Sequence, residues 1–144
     1  HIARIDNNQL TEDEVLLWTY ALYLTGGMML LSDRFETLAP ERAKLSKLLL
    51  SKPGLPDTRP LDIFDREYPA IWLRRSSGND ETLVGVFNFE DIDQDMVVPL
   101  SEIRKDAVFQ LIDFQSGALL GNAQNNFVLK INRHSCKIIK ISEK

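Results

Sequence analysis

The hydrophobic period changes across Lys52-Pro-Gly-Leu-Pro-Asp-Thr-Arg-Pro60. No helix crosses that segment, because each of its three prolines fixes its own φ and restricts the residue before it. Residues 53–60 therefore read as a linker between two unlike parts, 1–52 and 61–144. In the first part Val15, Leu16, Trp18, Ala21, Leu22 and Leu24 recur at three- and four-residue steps, as one face of a helix over 11–24 requires. Thr11 and Glu14 spell a capping box at its start, and Gly26-Gly27 is a natural stop. Pro40 suits the first turn of a second helix running to Leu50, with Leu45, Leu48 and Leu49 as its buried stripe. Between the helices, Met28 to Leu31 reads as a short strand buried on both faces.

Beyond residue 60 the period falls to two, and β-branched and aromatic residues take over. Strands are predicted at 61–64, 70–75, 82–89, 96–100, 107–113, 118–120, 127–131 and 137–141, with hairpin loops at Ser76-Ser-Gly-Asn-Asp80 and Gln115-Ser-Gly117. The fold class is α+β: two N-terminal helices with a short strand, followed by an antiparallel all-β sandwich.

Composition narrows the function. Seventeen Lys and Arg against 21 Asp and Glu give a net charge of −4 without a basic block, which disfavours nucleic acid as a partner. The four-residue Met28–Leu31 run is far short of the roughly 20 apolar residues that span a bilayer, so no membrane partner is expected. A single cysteine, Cys136, excludes an internal disulfide framework and a Cys-based zinc site, and leaves the compartment open. The chain opens on His1 and carries no signal-peptide pattern, so it reads as a piece of a longer protein.

Chemistry-bearing residues are few. Asp91, Asp93, Asp95 and Glu102 have the EF-hand oxygen spacing, but Met96 stands where that loop needs glycine, and an acidic turn that keeps a sheet edge soluble is the better reading. His134 shares a strand face with Cys136 but has no orienting acid nearby in sequence, so a structural histidine is preferred to a nucleophile pair. Trp18 and Trp72 are candidate sugar platforms, and packing is the commoner use of a tryptophan in an alternating run. Asp33 follows a buried strand, the place where acids line barrel active sites, although a capping or loop aspartate accounts for it as well. No glycine-rich phosphate loop, His-rich metal cluster or Ser-His-Asp order is present, so no catalytic residue, metal ligand or cofactor site is assigned.

Leu24-Thr-Gly-Gly-Met-Met-Leu-Leu-Ser-Asp33 followed by Leu38-Ala-Pro-Glu-Arg42 resembles the end of the catalytic barrel in α-galactosidases (melibiases) of glycoside hydrolase families 27 and 36. Arg59-Pro-Leu-Asp62 leading to Ile71-Trp72, the strand Leu83-Val-Gly-Val-Phe-Asn88, and Arg133-His-Ser-Cys136 before Lys137-Ile-Ile-Lys-Ile141 resemble the β-sandwich that closes those chains. The resemblance runs from about residue 10 to residue 141.

It implies that residues 1–52 end a (β/α)₈ barrel and that 61–144 form a sandwich bracing it. The parent enzyme would be a retaining glycosidase acting on galactose-containing oligosaccharides, with both catalytic carboxylates upstream of this chain. Ser32 and Asp33 would sit at the active-site rim as binding residues, and Trp72 or Phe64 would lie in the contact between barrel and sandwich. No cofactor is implied. The partner is the chain's own catalytic barrel, and a segment parted from it would expose apolar surface and associate into a homo-oligomer. The alternative, from another class, is a stand-alone carbohydrate-binding sandwich, which would present a row of exposed aromatic rings. The alternating pattern places most of the aromatics inward.

Overall fold

The computed structural model describes residues 2–3, 10–26, 30–31, 36–51, 57–76 and 81–144. The first part is a β/α repeat: β1 (Ile2–Ala3), α1 (Glu12–Thr25), β2 (Leu30–Leu31) and α2 (Pro40–Leu50). β1 and β2 pair in parallel, Ile2 with Leu30 and Ala3 with Leu31. Parallel neighbours need a crossover, and α1 is that crossover. Of the predicted strand, Met28 and Met29 lie outside the described residues. Two-residue β1 is too short to leave a periodic signal.

The capping box forms as the sequence spells it. The Glu14 backbone N–H donates to Thr11 Oγ1 at 3.3 Å, and the Thr11 N–H donates to Glu14 Oε2 at 2.7 Å. The Thr11 N–H and, at 2.9 Å, the Thr11 hydroxyl both donate to the Glu14 carboxylate and hold it below its ordinary pKa. α2 begins on Pro40 and ends at Leu50 as expected, although Ser46 and Leu49 are its buried residues and Leu45 and Leu48 are half-buried.

The second part is a six-stranded antiparallel sheet ordered β3 (Asp57–Pro60), β4 (Ile71–Arg75), β5 (Thr82–Asn88), β10 (Ser135–Glu143), β7 (Phe109–Asp113) and β8 (Leu119–Ala123). A smaller sheet pairs β6 (Gln94–Pro99) with β9 (Asn126–Ile131). One turn of 3₁₀ helix, Leu100–Glu102, follows β6.

The large sheet is buried on both faces, which gives the molecule three layers. On one face Ile71, Leu73, Val84, Val86, Ile139 and Ile141 pack with Met96, Val98, Leu100 and Ile131 from the β6–β9 side. On the other face Leu83, Phe87, Cys136 and Ile138 meet Leu17, Tyr20, Tyr23 and Leu24 of α1 and Leu49 of α2. The period-two alternation of β4, β5 and β10 sends successive residues to opposite cores. Hence β5 reads as an unbroken apolar run.

Three expectations are corrected here. Asp57–Pro60, the second half of the expected linker, is the edge strand β3, paired with β4 from Asp57–Arg75 to Pro60–Trp72. An edge strand tolerates proline because one side of its ladder is unpaired. The predicted strand 61–64 is a loop, since the Asp62 carboxylate accepts the backbone N–H groups of Ala70 and Ile71 and pulls the chain into a turn. Trp18, read as part of the buried stripe of α1, is 57% exposed, whereas Leu17, Tyr20 and Tyr23 are buried. The helix is covered by α2 on one flank and by the sheet beneath, and Trp18 lies on neither side.

Arg74 fastens the two parts together. Its buried guanidinium donates from Nη1 to the Tyr23 carbonyl at 3.0 Å and lies 4.5 Å above the Tyr23 ring centroid. A cation at a helix C-terminus meets unpaired carbonyls and the negative end of the helix dipole. Thr58 of β3 adds a second tie, donating to the Leu24 carbonyl at 2.9 Å.

Candidate functional site

Ser32 and Asp33 lie outside the described residues. In sequence they follow β2 directly.

The acidic run does not gather into a metal site. Asp95 lies on β6 and Glu102 in the turn beyond Pro99. Asp93 Oδ1 accepts the Arg133 backbone N–H at 3.0 Å, and Asp91 Oδ1 lies 2.8 Å from His134 Nε2. Both acids brace the β9–β10 turn, in which His134 adopts a positive φ of 48°. Among the described residues no three His, Cys, Asp or Glu side chains converge as metal ligands. Sequence spacing does not find the acid facing His134, because Asp91 is 43 residues away.

Cys136 is buried against α1, and that burial pushes its thiol up to about 12. A thiol so poorly ionised is a weak nucleophile. Tyr20, nearby in the same core, is raised to about 12, again chiefly by burial. The sign follows from which state ionises first. The unfolded thiol loses its proton near pH 9 and the folded one near 12. Cys136 thus leaves stability unchanged below pH 9 and subtracts from it as pH rises through that window. Iodoacetamide at about pH 8 is expected to modify Cys136 on the order of tenfold or more slowly in the folded chain than in urea, as thiolate access requires. Equal rates would mean that the α1 contact is open.

Asn88, a residue that no local sequence pattern marks, ends β5 as a buried hub. Its side-chain amide donates to the carbonyls of Ile92, Ile131 and Asn132, and its Oδ1 accepts the Glu90 N–H. Asp62, Asn88 and the Asp91–His134 pair all hold loops.

The distinctive surface is aromatic. A groove of about 430 Å³ is lined by Ala21, Thr25, Tyr68, Pro69, Trp72, Phe87 and Phe89. It runs between one face of α1 and the 61–70 loop. Tyr68 is 72% exposed, Phe89 stands partly exposed beside buried Phe87 with their rings stacked at 6.0 Å, and Trp18 continues the Ala21–Thr25 face. Most of the described aromatics turn inward as expected, and Trp18, Phe64, Tyr68 and Phe89 are the exposed exceptions. Trp72 is half-buried and packs in the α1 core, as expected of a contact residue, whereas Phe64 is 97% exposed and touches neither core.

Two polar handles of the groove are already used. Trp72 Nε1–H donates to the Pro69 carbonyl at 3.0 Å, and Thr25 Oγ1 donates to the Ala21 carbonyl at 2.8 Å. Sugar sites set an aromatic face beside convergent hydrogen-bonding groups. This lining supplies the rings but spends the Trp72 and Thr25 donors on its own carbonyls.

Neither a protein-family model nor a curated protein sequence matches the chain. Solved structures do. A family 27 β-L-arabinopyranosidase from Geobacillus stearothermophilus superposes with a TM-score of 0.73 at 12% identity, over 93% of this chain and 31% of that one. α-Galactosidase I from Mortierella vinacea gives 0.71 at 13% identity, over 99% of this chain and 38% of that one. The chain has the fold of one portion of these glycosidases. An α-amylase from Geobacillus thermoleovorans matches less well, with a TM-score of 0.61 at 18% identity over 95% of this chain and 35% of that one. The chain spans about a third of the length of the structures it matches.

Proposed function

We propose that this chain is the C-terminal region of a glycoside hydrolase resembling the α-galactosidases, and that it closes and braces the catalytic barrel. The observation that carries the reading is the parallel β1–α1–β2–α2 repeat whose helix α1 is also the lid on the sandwich sheet. A two-stranded parallel sheet is half of nothing stable alone, since such sheets occur buried inside larger β/α assemblies. As the last two β/α units of a barrel, the repeat finds its neighbours. The higher similarity to family 27 structures than to the amylase favours the α-galactosidase plan.

In this reading the chain performs no chemistry. The whole enzyme hydrolyses terminal α-galactosides with retention, using two carboxyl groups about 5 Å apart on earlier barrel strands. Ser32 and Asp33, following the last strand, shape the rim of its pocket. The sandwich fixes α1 through Tyr23, Leu24 and Arg74, and α2 through Leu49.

The test is release of nitrophenol from a chromogenic α-galactoside, run on this 144-residue chain and on the full-length product of its gene. The expected result is a silent chain beside an active full-length product whose first-formed sugar keeps its anomeric configuration by NMR. Turnover by the chain alone would overturn the bracing role, and silence from both would remove the α-galactoside assignment.

A further inference from the structure

The aromatic groove gives the bracing reading, on which this inference rests, a specific contact. We propose that it receives the apolar face of an α-helix from the catalytic barrel, the helix of the β/α unit on the far side of β1 from β2, with cationic side chains set opposite Glu67 and Glu90.

Three observations place a helix there. α1 uses opposite faces for its two flanks. Glu12 and Leu16 face α2, where Arg42 pairs with Glu12, whereas Trp18, Ala21 and Thr25 project on the side that has no helix among the described residues. In a ring of β/α units each helix has a neighbour on both flanks, and this flank of α1 is the one that faces the preceding unit. Next, the floor of the groove on α1 is Ala21 and Thr25, small residues four apart, with the bulkier Trp18 a turn away on the same face. A low floor of this kind admits the ridge of a second helix at close range. Third, the groove continues past Tyr68, Phe87 and Phe89 into a second hollow edged by Arg66, Glu67, Asn88 and Glu90. Arg66 faces Asp62 at 3.5 Å, and Asn88 is committed to its carbonyls. The carboxylates of Glu67 and Glu90 have no ion pair among the described residues, so the charge left over at the rim is negative.

An amphipathic helix with an apolar stripe and flanking Lys or Arg fits both hollows. A sugar fits poorly, because Trp72 and Thr25 spend their donors within the groove and leave only the Tyr68 hydroxyl.

Hydroxyl-radical footprinting tests the contact without a substitution. The reactivity of Trp18, Tyr68 and Phe89 is compared in the 144-residue chain and in the full-length gene product, with exposed Val128 on β9 as reference. The expected result is severalfold protection of the three aromatic residues in the longer product and no change at Val128. Ala21→Arg is expected to lower the melting temperature of the full-length product by several degrees while leaving that of the 144-residue chain nearly unchanged, and Val128→Arg to alter neither. Equal reactivity of the aromatics in both proteins would overturn the proposal, even if the full-length product cleaves α-galactosides and the functional reading stands. Protection in an enzyme without that activity would uphold the contact and remove the substrate. Protection in the isolated chain, lost on dilution or gained on adding melibiose, would overturn it in favour of a second copy or a sugar.

Discussion

Leu24→Ala is expected to destabilise the chain by about 2–5 kcal/mol, the range for truncating a fully buried leucine. Leu24 is completely buried where α1 meets the sheet. Below it lies Gly85, in the middle of β5, where a strand ordinarily avoids glycine. A Cβ built on Gly85 would overlap Leu24 Cδ1 and come within 2.8 Å of Phe87 Cε2. Its backbone is not in the left-handed region, so alanine is conformationally allowed there, and its backbone advantage is about 0.4–1 kcal/mol. Overpacking costs about 1–3 kcal/mol and outweighs that gain, so Gly85→Ala destabilises too. The double variant decides the cause. With Leu24 shortened the Gly85→Ala methyl finds room, and the combined loss should fall short of the sum of the single losses by about 1 kcal/mol or more. Urea unfolding of the four proteins reads this directly. Simple additivity would mean that α1 does not seat on Gly85.

The same pair of residues shows where the sequence is informative. Gly85 is visible as an anomaly in an apolar run, but its partner is 61 residues away and only the fold names it. Local signals worked where the physics is local: the Thr11–Glu14 box, Pro40 at the first turn of α2, the apolar run of β5, and the alternation that marks β4, β7, β9 and β10. They failed where a tertiary contact decides. The prolines that end helix propensity also hid β3, because a sheet edge needs only one side of its ladder. In Leu61-Asp-Ile-Phe64 the alternation suggested a strand, and a side chain reaching eight residues forward made a loop. Trp18 fell on an apolar helical stripe, yet a wheel does not tell which flank has a neighbour. Asp33 drew notice from its place after an apolar run and Ser32 only through resemblance, both lie outside the described residues, and the groove was not legible at all. Its wall comes from three segments that share no periodicity.

Asp62→Ala should be the most damaging polar substitution, at about 2–4 kcal/mol, because it strands two buried backbone donors at once. The carboxylate, itself buried, accepts the Ala70 N–H at 3.0 Å and the Ile71 N–H at 3.1 Å, where the chain enters β4. Arg66 at 3.5 Å is partly exposed, and its share of the effect is about 0–1 kcal/mol, as for surface ion pairs. Asp62→Asn separates the roles. It keeps one acceptor oxygen and sets an N–H₂ against the other donor, so its cost should lie between wild type and Asp62→Ala. Amide exchange at Ala70 and Ile71 should rise in the same order, while exchange in β10 follows only global stability. The consequence reaches the groove, because the loop that Asp62 closes carries Tyr68 and Pro69, one wall of it. If α1 is held to the sandwich by Leu24 and Arg74 but to its next neighbour by this wall, Asp62→Ala should loosen the aromatic face while leaving the α1–sheet contact intact. Faster radical labelling of Tyr68 with unchanged labelling of Cys136 would show that separation. An Asp62→Ala cost below about 0.5 kcal/mol, the level of an ordinary surface change, would show the loop to be held by other contacts.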